Sequence, residues 1–131
     1  MIVVDATVMG DLFLGKPEQR RAVERLLHKD SDWISLPLLE WELGNVCWKA
    51  WKFGSLELRE CQGFLADLGH FVKIERLELD LEAILGIAAE KKLTFYDASY
   101  VWFAVCRGLL LYTQDREILV QCPGVARNYF P

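Results

Sequence analysis

The sequence has no long apolar run. No hydrophobic stretch approaches the roughly 18 residues that a membrane-spanning helix requires. The segment from Met1 to Asp5 has no basic stretch and no small-residue cleavage site of the kind found in secretory signals. These absences argue against a membrane protein and against a secreted one. We therefore expect a protein of the cytoplasm.

Pairs of residues that typically bind zinc are also missing. The two histidines are far apart in sequence, and no two cysteines form a C-x-x-C pair. Such spacing argues against a zinc site. Small buried hydrophobic residues in a reducing compartment are the better explanation of the four cysteines. They are Cys47, Cys61, Cys106 and Cys122.

Positive charge is not in excess, since 15 Lys and Arg residues face 19 Asp and Glu residues and the net charge is -4. This balance argues against a protein that binds nucleic acid over its whole surface. It permits an enzyme that concentrates carboxylates around a divalent cation, because the cation reverses the local potential. A phosphate-binding G-x-x-x-x-G-K-[ST] loop is absent as well.

What the chain does contain is enough apolar material for one core. It has 131 residues, of which 53% are hydrophobic and 26% are charged. This size and composition predict a single folded domain over residues 1–131. Repeats, low-complexity tracts and linkers are not evident in the sequence.

Short apolar runs alternate with helical patterns along the chain. The runs predict strands at residues 2–4, 33–36, 71–74, 109–113 and 125–127, the last at a sheet edge. The helical patterns predict helices at residues 12–14, 17–28, 37–53, 55–68, 79–91, 94–106 and 116–120. The alternation predicts an α/β fold with a mainly parallel sheet of four to five strands, covered by helices on both sides.

Particular residues define several of these helices. Gly15, Gly54 and Gly69 are expected to end helices, and Ser55 to cap one. In the helix at residues 79–91, one face is expected to pack inward. Its members are Leu81, Ile84, Leu85 and Ala88.

Carboxylates follow two of the predicted core strands. Asp5 comes directly after residues 2–4, and Asp115 comes shortly after residues 109–113. Ligands of open parallel sheets bind beyond the carboxyl ends of the strands. Asp97 begins a helix that should start near the same edge, and Glu42 lies in the first turns of the helix after the second strand. We therefore expect these four acids to converge.

Unpaired carboxylates that lie close together repel one another and raise each other's pKa values. Such an arrangement therefore indicates a cation. Mg²⁺ and Mn²⁺ prefer oxygen ligands, usually one or two carboxylates together with waters and phosphates. With such ions an acidic site can activate water and stabilise the charge that grows on a phosphodiester.

Each acid also has a purely structural explanation. Asp97 fits a capping box with Thr94, Asp115 fits a helix N-cap, and Asp5 fits a turn after a strand. Glu42 is the weakest choice from periodicity, because Glu40 and Glu42 flank the apolar stripe of the helix on opposite sides. The pattern alone leaves these two glutamates tied.

Four segments resemble one known family. The chain is similar to PIN domains, and more narrowly to VapC-type toxin ribonucleases, in segments that occur in the family's order and spacing. Tyr96-Asp97-Ala98 and Thr113-x-Asp115 are the most specific parts of the match. The segments span residues 3–7, 42–46, 93–101 and 111–119.

The resemblance implies a three-layer α/β/α PIN fold over residues 1–131. It also implies an acidic metal site with catalytic and metal-binding roles for Asp5, Glu42, Asp97 and Asp115. It selects Glu42 over Glu40, because the family has asparagine three positions after its glutamate, as Asn45 is here.

In the family pattern, aspartates at the positions of Asp5 and Asp97 bind the metal directly, and Thr113 supports the site by hydrogen bonding. Glu117 is a further candidate acid, and Thr7 stands where many members have serine. The function implied is Mg²⁺- or Mn²⁺-dependent cleavage of RNA by a toxin of a toxin–antitoxin pair. A cognate antitoxin and a homodimer are the implied partners.

Two other functions fit part of the pattern. A phosphotransfer domain on a doubly wound sheet would also place aspartates at strand ends. However, a dehalogenase-like phosphatase has a second aspartate two residues after the first, where this chain has Thr7. A receiver-like domain would need paired acids near the first strand and a lysine after a late strand, and neither occurs. A non-catalytic PIN-like binding module would be favoured by an incomplete acidic set, whereas this set is complete.

Trp41 and Trp48 are seven residues apart on the long helix, and both point away from its predicted apolar stripe. Exposed aromatic side chains of this kind often mark protein interfaces. The alternative is a second buried face beneath the helix at residues 55–68. The sequence leaves these two explanations open.

Overall fold

Strands and helices alternate along the chain in the computed structural model, which describes residues 1–54 and 56–130. The strands are β1 (Ile2–Val4), β2 (Trp33–Ser35), β3 (Val72–Ile74), β4 (Leu111–Tyr112) and β5 (Ala126–Arg127). The helices are α1 (Ala6–Leu14), α2 (Pro17–Lys29), α3 (Leu38–Lys52), α4 (Leu58–Asp67), α5 (Leu81–Lys91), α6 (Phe95–Arg107) and α7 (Arg116–Gln121). A 3₁₀ turn, Leu68–His70, follows α4.

The five strands form one sheet in the order β3-β2-β1-β4-β5, and every neighbouring pair is parallel. Because all strands run the same way, their carboxyl ends share one edge of the sheet. In the central pair, Val3 is opposite Leu111 and Val4 is opposite Tyr112. The predicted parallel α/β sheet is confirmed, with β5 at an edge as expected.

The alternation of side chains along β1 divides the core into two halves. Ile2 and Val4 pack into one apolar cluster together with residues of α1 to α4. Val3 packs into a second cluster together with residues of α5, α6 and α7. All three side chains are buried. Helices therefore cover both faces of the sheet, which gives the expected α/β/α layers.

Several predicted boundaries shift for local reasons. Helix α1 begins at Ala6, well before residue 12, because the Asp5 side chain accepts a hydrogen bond from the Thr7 amide and caps the helix. Strand β4 starts at Leu111 and not at Leu109. The Leu109 amide instead donates to the Ala104 carbonyl and closes the C-terminus of α6.

The predicted cap Ser55 lies outside the described residues. Helix α4 begins at Leu58, and the Glu57 amide just before it donates to the Glu60 carboxylate. Gly69 does not simply stop this helix, because the chain continues into the 3₁₀ turn before β3. Gly54 ends α3 as expected and has a positive φ of 82°, a conformation that glycine adopts easily.

The predicted inward face of α5 is half wrong. Ile84 and Ala88 are buried, but Leu81 and Leu85 are 59% and 60% exposed. The buried stripe is centred on Ile84. Leu85 follows it by one residue and so points about 100° away around the helix. Leucines at these positions reach solvent because no other element of the described chain covers that side of α5.

Three of the four cysteines are buried in the core. Cys47, Cys61 and Cys122 are buried as expected, but Cys106 is exposed, so its explanation as a buried hydrophobic residue is wrong.

The two tryptophans on α3 reach solvent. Trp41 is 79% exposed and Trp48 is 48% exposed. Helix α4 packs on the opposite, cysteine-bearing side of α3, where the Cys61 thiol donates to the Cys47 carbonyl. The second-buried-face explanation for these tryptophans is therefore wrong.

Helix length and hydropathy are modest throughout residues 1–54 and 56–130. None of the helices there is both long and apolar enough to cross a lipid bilayer.

Candidate active site

Asp5 is a buried carboxylate at the carboxyl end of β1, and its side chain is held from two sides. Its Oδ1 accepts hydrogen bonds from the Thr7 amide at 3.0 Å and from the Thr7 hydroxyl. Its Oδ2 accepts from the Thr113 hydroxyl. Burial raises the pKa of Asp5 to about 6, although these hydrogen bonds favour the charged form and oppose the shift. Asp5 is thus fixed in position but costly to ionise.

The loop after β4 provides the second strand-end acid. Register places Val4 opposite Tyr112, so the residues that follow, Asp5 and Thr113, are neighbours at the sheet edge. The Thr113 hydroxyl also accepts from the Asp115 amide at 2.9 Å. Asp115 Oδ1 in turn accepts from the Ile118 amide at 3.0 Å and caps α7. A single threonine therefore connects the two strand-end aspartates.

A further hydrogen bond connects this loop to α1. The Gln114 amide donates to the Thr7 hydroxyl oxygen at 2.9 Å, and the Thr7 hydroxyl donates to Asp5. Thr7 and Thr113 thus hold Asp5 between the starts of α1 and α7. The resemblance implied that Thr113 supports the site by hydrogen bonding, and its hydroxyl does donate to Asp5 Oδ2. The Thr7 hydroxyl makes the equivalent hydrogen bond to Asp5 Oδ1.

Asp97 lies in the first turn of α6, where its backbone amide donates to the Thr94 hydroxyl at 3.1 Å. The predicted cap is therefore present. Burial, the charge of Asp115 and smaller contributions from Glu42 and Glu117 together raise the pKa of Asp97 to about 6, although a hydrogen bond with the Thr94 side chain opposes the rise. A carboxyl group whose pKa is raised by the charges of other carboxylates lies near them. The cap itself is formed by the Asp97 backbone amide, while the carboxylate has only a hydrogen bond with the Thr94 side chain and no basic partner among the described residues.

Glu42 joins the aspartates through Tyr100. The Tyr100 hydroxyl donates to Glu42 Oε1 at 2.7 Å. Burial raises the pKa of Tyr100, and the charges of Glu42, Asp5 and Asp97 raise it further, in that order. Tyr100 is itself only 1% exposed. A buried tyrosine on α6 therefore orients the glutamate and lies among three of the four acids.

Glu40 lies on another side of α3 and is occupied elsewhere. Its two carboxylate oxygens accept from the Arg76 guanidinium, each at 3.0 Å. This bidentate ion pair neutralises Glu40 at the surface. The structure therefore places Glu42, and not Glu40, beside the aspartates.

Sequence patterns missed Tyr100 as a residue of this site. Its position three residues after Asp97 places the two on one face of the same helix. That spacing was available in the sequence. Its partner Glu42, however, is 58 residues away, and helical periodicity contains no information on such a contact.

The four acids provide the oxygen ligands that Mg²⁺ and Mn²⁺ prefer. Across residues 1–54 and 56–130, none of the four acids forms an ion pair with a basic side chain. Over the same ranges, no three Asp, Glu, His or Cys side chains are grouped tightly enough to bind one ion together. Mg²⁺ usually takes only one or two carboxylates and completes its shell with water and phosphate. Unneutralised oxygen ligands of this kind fit such a hydrated ion.

The chain is similar in sequence to two proteins of Pyrobaculum aerophilum. No family model matches the chain. It is 40% identical to Exonuclease VapC9 of Pyrobaculum aerophilum over 90 residues, which cover 68% of this chain and 66% of that protein, just under two thirds of its length. It is 30% identical to Ribonuclease VapC3 of the same organism over 128 residues, which cover 95% of this chain and 96% of that protein.

Solved structures share the same architecture. The crystal structure of PAE2754 from Pyrobaculum aerophilum has a TM-score of 0.78 and 30% sequence identity, and the match covers 98% of this chain and 90% of that one. A toxin–antitoxin complex from Klebsiella pneumoniae has a TM-score of 0.74 and 21% identity, and covers 99% of this chain and 98% of that one. The second match shows a common fold. Taken with the identity to VapC3 over nearly the full length of both proteins, these findings establish that the chain belongs to the VapC family of PIN-domain toxins.

Proposed function

We propose that this protein is an Mg²⁺- or Mn²⁺-dependent ribonuclease that acts as the toxin of a toxin–antitoxin pair. The observation that carries the proposal is the group of acids at the sheet edge. Asp97 is affected by the charges of Asp115, Glu42 and Glu117, and no basic side chain of the described residues neutralises them. The relative named Ribonuclease VapC3 supports RNA as the substrate, and the relative named Exonuclease VapC9 supports nuclease activity.

In this proposal Asp5 and Asp97 are the direct metal ligands, and Asp115 and Glu42 complete the acidic site. When bound, the divalent ion would supply a Lewis acid that activates water and stabilises the charge growing on the scissile phosphate. Thr7 and Thr113 fix both oxygens of Asp5. Tyr100 fixes Glu42. The residues of the chain thus form a hydrogen-bonded, negatively charged edge that attracts a divalent cation and repels a phosphodiester when no cation is bound.

The proposal is tested with a fluorescently labelled RNA and the purified protein. Cleavage is expected with Mg²⁺ or Mn²⁺ present, and none with EDTA. Restoration by excess Mn²⁺ after EDTA would show that chelation has not simply unfolded the protein. Full activity in EDTA would disprove metal-dependent catalysis. An intact RNA under every metal condition would favour the non-catalytic binding module.

Tyr100→Phe is expected to lower cleavage by about 10- to 100-fold, because partners that orient metal-site ligands typically contribute that much. The change removes only the hydroxyl that holds Glu42 Oε1. We expect a higher Mn²⁺ concentration for half-maximal activity, which a purely structural role would not produce.

Tyr112→Phe is the matched control for this variant. Tyr112 is also a buried tyrosine, but it packs near Arg25 and Lys29 on the other side of the sheet. It should keep wild-type activity and Mn²⁺ dependence. Equal losses in both variants would mean that Tyr100 supports the fold and not the acidic site.

Protein partners form the last part of the proposal. We infer a cognate antitoxin and a homodimer, for which the exposed Trp41 and Trp48 are candidate contact residues. Lys52 lies over the Trp48 ring at 4.7 Å from its centroid, so this face combines aromatic surface with positive charge. Light scattering of the purified protein, alone and with the product of a neighbouring short reading frame, measures both associations. A monomer under both conditions would contradict them.

A further inference from the structure

Tyr96 is an aromatic side chain that the fold leaves in solvent beside the acidic site. It is 61% exposed, although it lies in the first turn of α6 directly before Asp97. Burial of an aromatic ring is favourable, so its exposure here is not explained by packing within the chain. Its position one residue from a proposed metal ligand makes it available to a bound substrate.

Tyr96 lines an apolar cleft of about 220 Å³. The start of α3 contributes Pro37 and Leu38, the loop before α5 contributes Leu77 and Leu79, and the first turn of α6 contributes Phe95 and Tyr96. A water molecule takes about 30 Å³ of liquid volume. The cleft is therefore large enough for one flat ring system and smaller than the roughly 300 to 1,000 Å³ typical of pockets for larger ligands.

The cleft and the acids share the same two helices. Leu38 precedes Glu42 by one helical turn on α3, and Tyr96 precedes Tyr100 by one turn on α6. The hydrogen bond from Tyr100 to Glu42 holds these two helix starts together. A ligand in the cleft would consequently lie one helical turn from Glu42 on α3 and beside the residue that precedes Asp97 on α6.

We propose that this cleft binds one unpaired nucleobase of the RNA, stacked on the Tyr96 ring, next to the scissile phosphate. This inference rests on the proposed ribonuclease function and adds a recognition site to it. Stacking on an aromatic ring suits every base, since each has a π-face. Bases inside an A-form helix are already stacked and paired, so the cleft selects single-stranded segments, loops or bulges.

The walls of the cleft favour a base over other parts of the substrate. Leucine, proline and aromatic side chains form most of them, and the Ser99 hydroxyl, which also lines the cleft, already donates to the Phe95 carbonyl. A phosphate would require basic groups or backbone amides, and neither is among the lining side chains. The sugar-phosphate backbone is expected to follow the acidic edge, where a metal ion neutralises it. An apolar side chain of another protein is the competing occupant, and the experiment separates the two.

The test combines variants of the enzyme with variants of the substrate. A labelled single-stranded RNA with a mapped cleavage site is compared with RNAs that carry one abasic residue on either side of that site. Tyr96→Ala is expected to lower kcat/KM on the intact RNA by about 10- to 100-fold, the range that base–aromatic stacking contributes. Tyr96→Phe keeps the ring and should remain within about 2-fold of wild type, since stacking needs no hydroxyl.

One abasic position should reproduce the effect of Tyr96→Ala on the wild-type enzyme and have little further effect on that variant. Phe53→Ala is the control for loss of an exposed aromatic ring, because Phe53 is 75% exposed at the far end of α3. It should cleave like wild type. Wild-type rates for Tyr96→Ala, or equal abasic effects in the variant and the wild type, would overturn the proposed base site.

Anisotropy in Mn²⁺ of the same RNAs, made with a non-cleavable linkage at the mapped site so that cleavage does not interfere, reports RNA binding separately. Loss of affinity in Tyr96→Ala, without any cleavage by wild type, would support the base site and contradict the ribonuclease function. Metal-dependent cleavage by wild type that Tyr96→Ala leaves unchanged would support the ribonuclease function and contradict the base site. Absence of both cleavage and binding would overturn the two proposals together.

Discussion

Asp97→Asn is expected to reduce metal-dependent RNA cleavage by about 1,000-fold or more, since a metal ligand provides several kcal/mol of transition-state stabilisation. Asparagine keeps the size of the side chain and one oxygen but removes the charge. The cap of α6 survives, because Thr94 accepts its hydrogen bond from the backbone amide of residue 97 and not from the side chain. The loss therefore reports on the carboxylate itself. Single-turnover cleavage at saturating Mn²⁺ is the measurement.

Asp5→Asn is expected to be equally inactive, but this substitution also disturbs the hydrogen bonds around the side chain. Both oxygens of Asp5 accept hydrogen bonds from threonine hydroxyls. An asparagine amide would present donors to one of them. The Thr113 hydroxyl oxygen already accepts from the Asp115 amide, so it would have to reorient. Changes in Asp5→Asn can thus reach Asp115, whereas Asp97→Asn leaves this network intact.

Glu40→Gln is the matched control for these losses. Glu40 lies two residues from Glu42 but forms a surface ion pair with Arg76, and such pairs contribute at most about 1 kcal/mol to stability. This variant should cleave RNA at close to the wild-type rate. A wild-type rate in Asp97→Asn would refute the assignment.

Strand-end acids were predictable because they depend on topology alone. The alternation of strands and helices required a parallel sheet, and a parallel sheet places the residues after β1 and β4 at one edge. Asp5 and Asp115 follow from that rule. Asp97 was predictable as a helix start, and its Thr94 cap is present. The structure adds that capping and an available carboxylate coexist in this residue.

Contacts between distant segments account for what the sequence left open. The tie between Glu40 and Glu42 is resolved by Arg76, 36 residues from Glu40, and by Tyr100, 58 residues from Glu42. The exposed Leu81 and Leu85 were misplaced for a related reason. Hydrophobic spacing defines a stripe on α5, but which edge of that stripe faces the sheet depends on how α5 packs against α6.

Stability of the metal-free protein is expected to fall as pH rises from about 4 to about 6. Burial raises the pKa of Asp5 from 3.8 to about 6, so between these values the folded state binds a proton that the unfolded chain has released. The stability that protonated Asp5 contributes is full below pH 4 and is lost as pH rises through 6. The difference between a pKa of 3.8 and a pKa of about 6 corresponds to about 3 kcal/mol of stability. The raised pKa of Asp97 acts in the same direction.

Urea unfolding in EDTA at several pH values measures this effect, and Asp5→Asn isolates it. Other titrating groups contribute to the pH dependence of both proteins. The difference in the free energy of unfolding between wild type and variant therefore reports mainly the ionisation of Asp5. We expect the free energy of unfolding of wild type to decrease more steeply than that of the variant between pH 4 and pH 6. Parallel curves would show that Asp5 ionises freely in the fold.

Above pH 6, a bound divalent cation is expected to restore the stability that the folded protein loses when Asp5 and Asp97 ionise. A cation bound by ionised Asp5 and Asp97 stabilises the folded state in proportion to the logarithm of its concentration once the site is saturated. Millimolar Mn²⁺ at pH 7.5 is therefore expected to raise the melting temperature of wild type more than that of Asp97→Asn. An equal shift in both proteins would place the metal elsewhere. The same burial that makes Asp5 costly to ionise in the free protein would then have no role in metal binding.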